Sequence, residues 1–184
     1  MHGNGALTAV RTSLSEQLAT LRGVEVAALP ESLLAIAVRE VAGVHVLLPA
    51  DWEALRHDEG AAGRPVPFWA RPWPSGTALA QALAVDPPPA RARVLELGCG
   101  LAAPSIVAAR AGAVVLATDG ATDAVAFAAH SLALNQVTGG QTDEYYNEAL
   151  VMAATVLVVL PLVVVYGFTQ RHFVESVNRT GLVD

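Results

Sequence analysis

The sequence predicts an α/β domain, organised around one β-α-β unit, followed by a single C-terminal transmembrane helix. Three observations carry that expectation. Val94-Leu95-Glu96-Leu97 is a strand-like run that enters Gly98-Cys99-Gly100 and then an alanine-rich helical stretch from Pro104 to Ala111. Ala113 to Thr118 is a continuous apolar run, of the kind buried on both faces of a parallel sheet, and Asp119 stands at its C-terminal end. Ala149 to Gln170 runs 22 residues without a charge. As a helix it would reach about 33 Å, against a hydrocarbon core of about 30 Å.

Leu14, Leu18 and Leu21 recur at helical spacing behind Ser13 and Glu16, whose S-x-x-E arrangement satisfies free amides at a helix start, so a short amphipathic helix opens the chain. Val24, Val26 and Ala28 alternate, Leu33 to Val41 is apolar and ambiguous, and Val44 to Leu48 reads as a strand ended by Pro49. Asp51 caps a brief helix through Arg56. Pro67 to Gly76 packs prolines and two tryptophans too densely for regular structure, so it is a constrained loop before a helix over Thr77 to Ala84. Asp86-Pro87-Pro88-Pro89 is a stiff connector. Gly112 ends the helix after the glycine turn, and Thr122 to Leu134 forms a second one. Pro161 falls near the middle of the apolar run and kinks it; the alternative is two buried strands, Val156 to Leu160 and Leu162 to Tyr166.

Composition excludes several functions. A chain of 184 residues holds one ordinary domain with an appendage, not two full-sized catalytic domains. All 11 basic residues are arginine and face 17 acids, and a net charge of −6 offers no footprint for nucleic acid. One cysteine forms no internal disulfide and no thiolate cage, and the five histidines show no ligand spacing, so no metal is assigned. Met1 to Val10 lacks the pattern of a secretory signal.

The chemistry concentrates in the β-α-β unit. Glycines after its first strand let the backbone turn tightly and approach a ligand, and the helix start offers free N–H groups to a nucleotide-like cofactor. Asp119, 21 residues beyond Gly98, is placed to accept hydrogen bonds from both ribose hydroxyls. Gly98-Cys99-Gly100-Leu101-Ala102-Ala103 also fits G-x-G-x-x-A, which leaves a dinucleotide reading open.

The segments FWARPWPSGTALAQAL, VLELGCGLAAPS and VLATD, in that order and with Glu96 two residues before Gly98, resemble the class I S-adenosylmethionine-dependent methyltransferases. Within them they are similar to the branch of nicotinamide N-methyltransferase and the protein-lysine methyltransferases, over about residues 44–135. The resemblance implies a Rossmann-like fold, truncated after its second strand-helix unit, with S-adenosylmethionine as cofactor and methyl transfer to a protein side chain or a small-molecule amine. It implies further that Glu96, Gly98 and Gly100 line the methionine end, that Asp119 holds the ribose, and that Trp73 to Gly76 close over the site. Trp69 and Trp73 also suit a purely structural role as core aromatics. The chain departs from the family pattern at Ala102, where a third glycine is usual, and at Gly120, where a bulky adenine contact often follows the acid. The strands expected to carry the acceptor pocket and the catalytic residues are missing, so catalytic residues are not assigned and turnover is not expected.

Residues 138–184, including the charge-free run and Gln170-Arg171-His172-Phe173, resemble the C-terminal end of a bacterial-type carbohydrate ABC-transporter permease. That implies contact with membrane lipid through 149–170. It also supplies the alternative function, a permease fragment fused to a passenger domain. The expected organisation is thus 1–90, an N-terminal helix, strands and loop; 91–136, the cofactor-binding unit; and 137–184, the permease-like tail. The two resemblances meet near Leu132 to Gln136 and predict a chimera, membrane-associated through its tail, with a globular part suited to the cytoplasm.

Overall fold

The computed structural model describes residues 3–138. Contacts divide the chain into a unit of Met1–Thr142 and a unit of Asp143–Asp184, and the described residues lie in the first. α1 (Gly3–Arg22) buries Leu14 and Leu18 completely on one stripe. Ser13 and Glu16 lie inside α1, so they do not begin a helix as their spacing suggests. The alternation around Val26 closes into a 3-10 turn at Val26–Ala28, and the one-turn α2 (Glu31–Leu34) leads into β1 (Ile36–Val41).

β1 pairs antiparallel with β2 (Val44–Pro49), with Val41 opposite Val44. The two connecting residues, Ala42 and Gly43, both have positive φ, 51° and 77°, the twist that a two-residue hairpin requires. Both faces of this hairpin are covered. Val44 and Val46 pack with Ala80, Leu101 and Ile106, while Ile36 and Leu47 pack with Leu14, Leu18 and Phe127. α3 (Trp52–Ala61) begins at Asp51, whose carboxylate accepts from the Ala54 amide at 3.0 Å. A 3-10 turn at Phe68–Ala70 and α4 (Pro74–Val85) follow.

β3 (Arg93–Leu97), α5 (Ala103–Arg110) and β4 (Val114–Thr118) form the expected β-α-β unit, with the strands parallel and Glu96 opposite Ala117. α6 (Thr122–Thr138) then runs back across the hairpin. Among its buried residues, Asp123, Phe127, Ser131 and Asn135 recur every four residues, and three of these four are polar. Asn135 Oδ1 accepts from the His45 amide at 2.9 Å, its Nδ2 donates to the His45 carbonyl, and the Ser131 hydroxyl accepts from the Leu47 amide at 2.9 Å. Asp123 pairs with Arg22 at the end of α1, and Arg22 also donates to Glu59 of α3 at 3.0 Å. Burial would raise the Glu59 carboxyl, but hydrogen bonds from Arg64 and Arg22 hold it below its ordinary range.

Two features of the expected fold class are corrected. In place of one Rossmann-like sheet there are two separate two-stranded sheets, β1-β2 antiparallel and β3-β4 parallel, in a mixed α/β arrangement. The physical reason is α6, whose side chains bond the outer edge of β2 where a further strand would have to pair. Among the described residues, no helix is long and apolar enough to cross a membrane. The run 149–170, expected to span one and to meet lipid, and the permease-like stretch 138–184 around it lie outside the described residues, except for Thr138, the last residue of α6.

Two consequences are measurable. Asn135→Ala leaves the His45 amide buried without an acceptor, and is expected to lower stability by about 2 kcal/mol, read as an earlier urea midpoint at unchanged slope. His130 is buried, with Nδ1 2.9 Å from the Ala126 carbonyl, which can only accept, so Nε2 accepts from the Ser13 hydroxyl at 3.1 Å. Burial pushes the His130 imidazole below its ordinary range. The unfolded chain then takes this proton first, so stability is full above the ordinary range of about 6.5 and falls as pH drops through it, by at most about 1.4 kcal/mol per pH unit. Unfolding curves between pH 8 and pH 5 should show that loss, and His130→Asn, which keeps a donor for Ala126, should flatten it.

Candidate functional site

Trp73 and Gly76 enter through the start of α4, Glu96 through β3, Gly98 and Gly100 through the turn after β3, and Asp119 through the end of β4. All six line a single cleft of about 530 Å³. The opposite wall comes from the hairpin, through Arg39, Val41, Val46 and Leu48.

Sequence chemistry sets the shape of the glycine turn. Gly98 adopts φ +66°, and a Cβ added there would meet nothing within 4 Å, so the backbone at Gly98 has open space beside it. Gly100, at φ +51°, has no such room: an added Cβ would sit 3.2 Å from the Trp69 carbonyl oxygen. Ala102 carries the third left-handed conformation, φ 56° and ψ 27°, immediately before α5. That explains why glycine suits the position, since a Cβ there costs about 1–2 kcal/mol. The methyl group is buried in return, with Cys99 and Ala128.

The two carboxylates are committed locally. Asp119 Oδ2 accepts from the Gly100 amide at 2.8 Å and Oδ1 from the Ala121 amide at 2.9 Å, which ties the glycine turn to the end of β4. Glu96 Oε2 accepts from the Ser105 amide at 3.2 Å and from the Ser105 hydroxyl. Because Pro104 has no N–H, the Ser105 amide is among the first that α5 offers, and Glu96 takes it. Burial pushes the Glu96 carboxyl above its ordinary range, against the hydrogen bonds from Ser105.

The aromatic segment divides in two. Trp69 turns inward, with its ring 5.0 Å from Phe127, and belongs to the core as well as to the cleft wall. Trp73 is 46% exposed and packs 6.2 Å from Phe68, which is 57% exposed. Between them Arg71 places its guanidinium 5.3 Å from the centre of the Trp52 ring and 5.8 Å from that of Trp73. Arg39, Phe68 and Arg71 were not expected at the site. Arg71 stands inside the quoted aromatic segment, and only the three-dimensional fold brings Arg39 opposite it.

Comparison of the sequence with protein-family models finds no match, and comparison with curated proteins finds none either.

Cys99 is not a nucleophile in this setting. Burial pushes its thiol up to about 12, and the Asp119 and Glu96 carboxylates push it the same way. At pH 8 its alkylation by iodoacetamide should be at least about 100-fold slower in the folded chain than in urea, because well below the thiol's pKa each further rise of one in that pKa leaves about tenfold less thiolate.

Proposed function

We propose that this cleft binds S-adenosylmethionine and that, against the expectation of no turnover, it serves methyl transfer. The observation that carries the reading is the convergence of Trp73, Gly76, Glu96, Gly98, Gly100 and Asp119, which three separate segments contribute to one cleft. The volume suits a small-molecule site, for which about 300–1,000 Å³ is usual. Gly98 leaves room for a ligand beside the backbone, and Asp119 has spent two acceptor positions of roughly four, so it can still receive ribose hydroxyls.

One feature favours this cofactor over a dinucleotide. A pyrophosphate would need the free amides at the start of α5, but Pro104 has none and the Ser105 amide already serves Glu96. A carboxyl group thus occupies the place a phosphate would take. S-adenosylmethionine has no phosphate, and when bound it supplies a methyl group on a positively charged sulfur. The chain's part is to hold and orient: Asp119 at the ribose, Glu96 and the glycine turn at the methionine end, Trp73 and Gly76 at the mouth.

Calorimetric titration with S-adenosylhomocysteine tests the reading. Saturable binding is expected, weakened at least about tenfold by Asp119→Ala and less by Asp119→Asn, which preserves an acceptor, with no comparable binding of NAD. A folded sample that binds no S-adenosylhomocysteine overturns it.

A further inference from the structure

The charged groups of the cleft divide into two unlike sets. Asp119 accepts one backbone amide at each oxygen, and Glu96 accepts the Ser105 amide and hydroxyl at Oε2. The guanidinium groups of Arg39 and Arg71, in contrast, have no carboxylate and no hydrogen-bond acceptor among the described residues, although each lines the cleft. Arg71 is held by its faces, against Trp52 and Trp73, which leaves the N–H donors around its edge unspent. Beside it, Phe68 and Trp73 expose aromatic surface into the same cleft.

We infer that Arg39 and Arg71, with Phe68 and Trp73, form a subsite for a carboxylic acid that carries a planar ring, and that this acid is the methyl acceptor. The inference rests on the S-adenosylmethionine reading for its second half. Two arguments lead to it. The two arginines and two acids of the lining cancel in formal charge, and the cofactor brings two positive groups and one carboxylate, so the occupied cleft is net positive. A cationic amine acceptor would then enter a cleft that remains positive, whereas an anion is attracted and can be gripped by planar, charge-assisted hydrogen bonds.

The second argument concerns protons. Among the described residues the cleft lining contains no histidine and no tyrosine. An amine acceptor arrives protonated and needs a base to remove that proton. A carboxylate oxygen attacks with its lone pair free: the O–CH3 bond forms as the S–CH3 bond breaks, neutral S-adenosylhomocysteine leaves, and no proton has to be removed.

The probes are indole-3-acetate and its neutral isostere indole-3-acetamide, titrated by calorimetry into the full chain, with and without saturating S-adenosylhomocysteine. The acid is expected to bind at least about tenfold more tightly than the amide, and Arg39→Gln or Arg71→Gln should each cut that preference to about threefold or less, with folding checked by circular dichroism. Equal affinity for the two probes, or binding of neither, in a wild-type sample that does bind S-adenosylhomocysteine overturns the acid subsite and leaves the cofactor reading intact. Preference for the acid in a sample that binds no S-adenosylhomocysteine overturns the role as methyl acceptor and keeps the acid site. Because the comparison between probes is made on the wild-type chain, misfolding of either variant does not remove the test.

Discussion

Asn135 and Ser131 of α6 bond the outward backbone of β2 at His45 and Leu47, taking the place of a neighbouring strand. A buried strand edge with free N–H and C=O groups is expensive, and there are only two ways to close it, another strand or polar side chains. This chain uses the second. Once α6 lies on that edge, the β1-β2 hairpin cannot extend into a larger sheet through β2, and the β3-β4 pair forms a sheet of its own. The same helix then needs an anchor at its other end, which Arg22 supplies by pairing with Asp123 and reaching Glu59. Among the described residues no buried side-chain nitrogen or oxygen lacks a partner, so the polar stripe of α6 is fully used.

The position of the cleft follows from this division. The hairpin contributes Arg39, Val41, Val46 and Leu48 to its lining, and the parallel pair contributes the glycine turn. Hydrogen bonds fix the turn: the Cys99 amide reaches the Thr118 carbonyl at 2.8 Å, the Ala102 amide the Cys99 carbonyl at 2.7 Å, and the Gly100 amide Asp119. Gly98, Gly100 and Ala102 all occupy the left-handed region within five residues, and only the last of them carries a side chain. Its strain persists because Ala102 is buried with Cys99 and Ala128 and the hydrogen bonds on either side hold the turn.

Much of the β-α-β unit was legible because apolar runs, glycines and a terminal acid report directly on strand, turn and strand end. The helix that reorganises the fold was legible only as a helix. The role of Asp123, Ser131 and Asn135 is not legible, because polar residues at a spacing of four look the same whether water or a strand edge satisfies them. Ser13 and Glu16 misled for a related reason: an S-x-x-E pair within a helix is indistinguishable from one at its start until the residues before it are placed. At the site, the six residues expected there do line one cleft, yet Arg39 was not legible. It lies in a stretch whose periodicity fits strand and helix alike, and only the hairpin's register decides which way it faces. The commitment of Glu96 to Ser105 was also hidden, since it depends on a proline removing the neighbouring amide.

Net charge illustrates how far composition reaches. The whole chain carries −6, which argues against long-range attraction of any polyanion. Charges separated by more than about 8 Å are largely screened at physiological ionic strength, so a small ligand inside a cleft senses the groups that line it and little else. There two arginines stand against two acids, so the lining is close to neutral in formal charge while the chain as a whole is negative. Excluding nucleic acid from composition and admitting a small anion from geometry are therefore compatible conclusions, because they concern different distances. A polyanion is thus repelled by the chain as a whole, whereas a single carboxylate inside the cleft meets two guanidinium groups that have no carboxylate partner among the described residues.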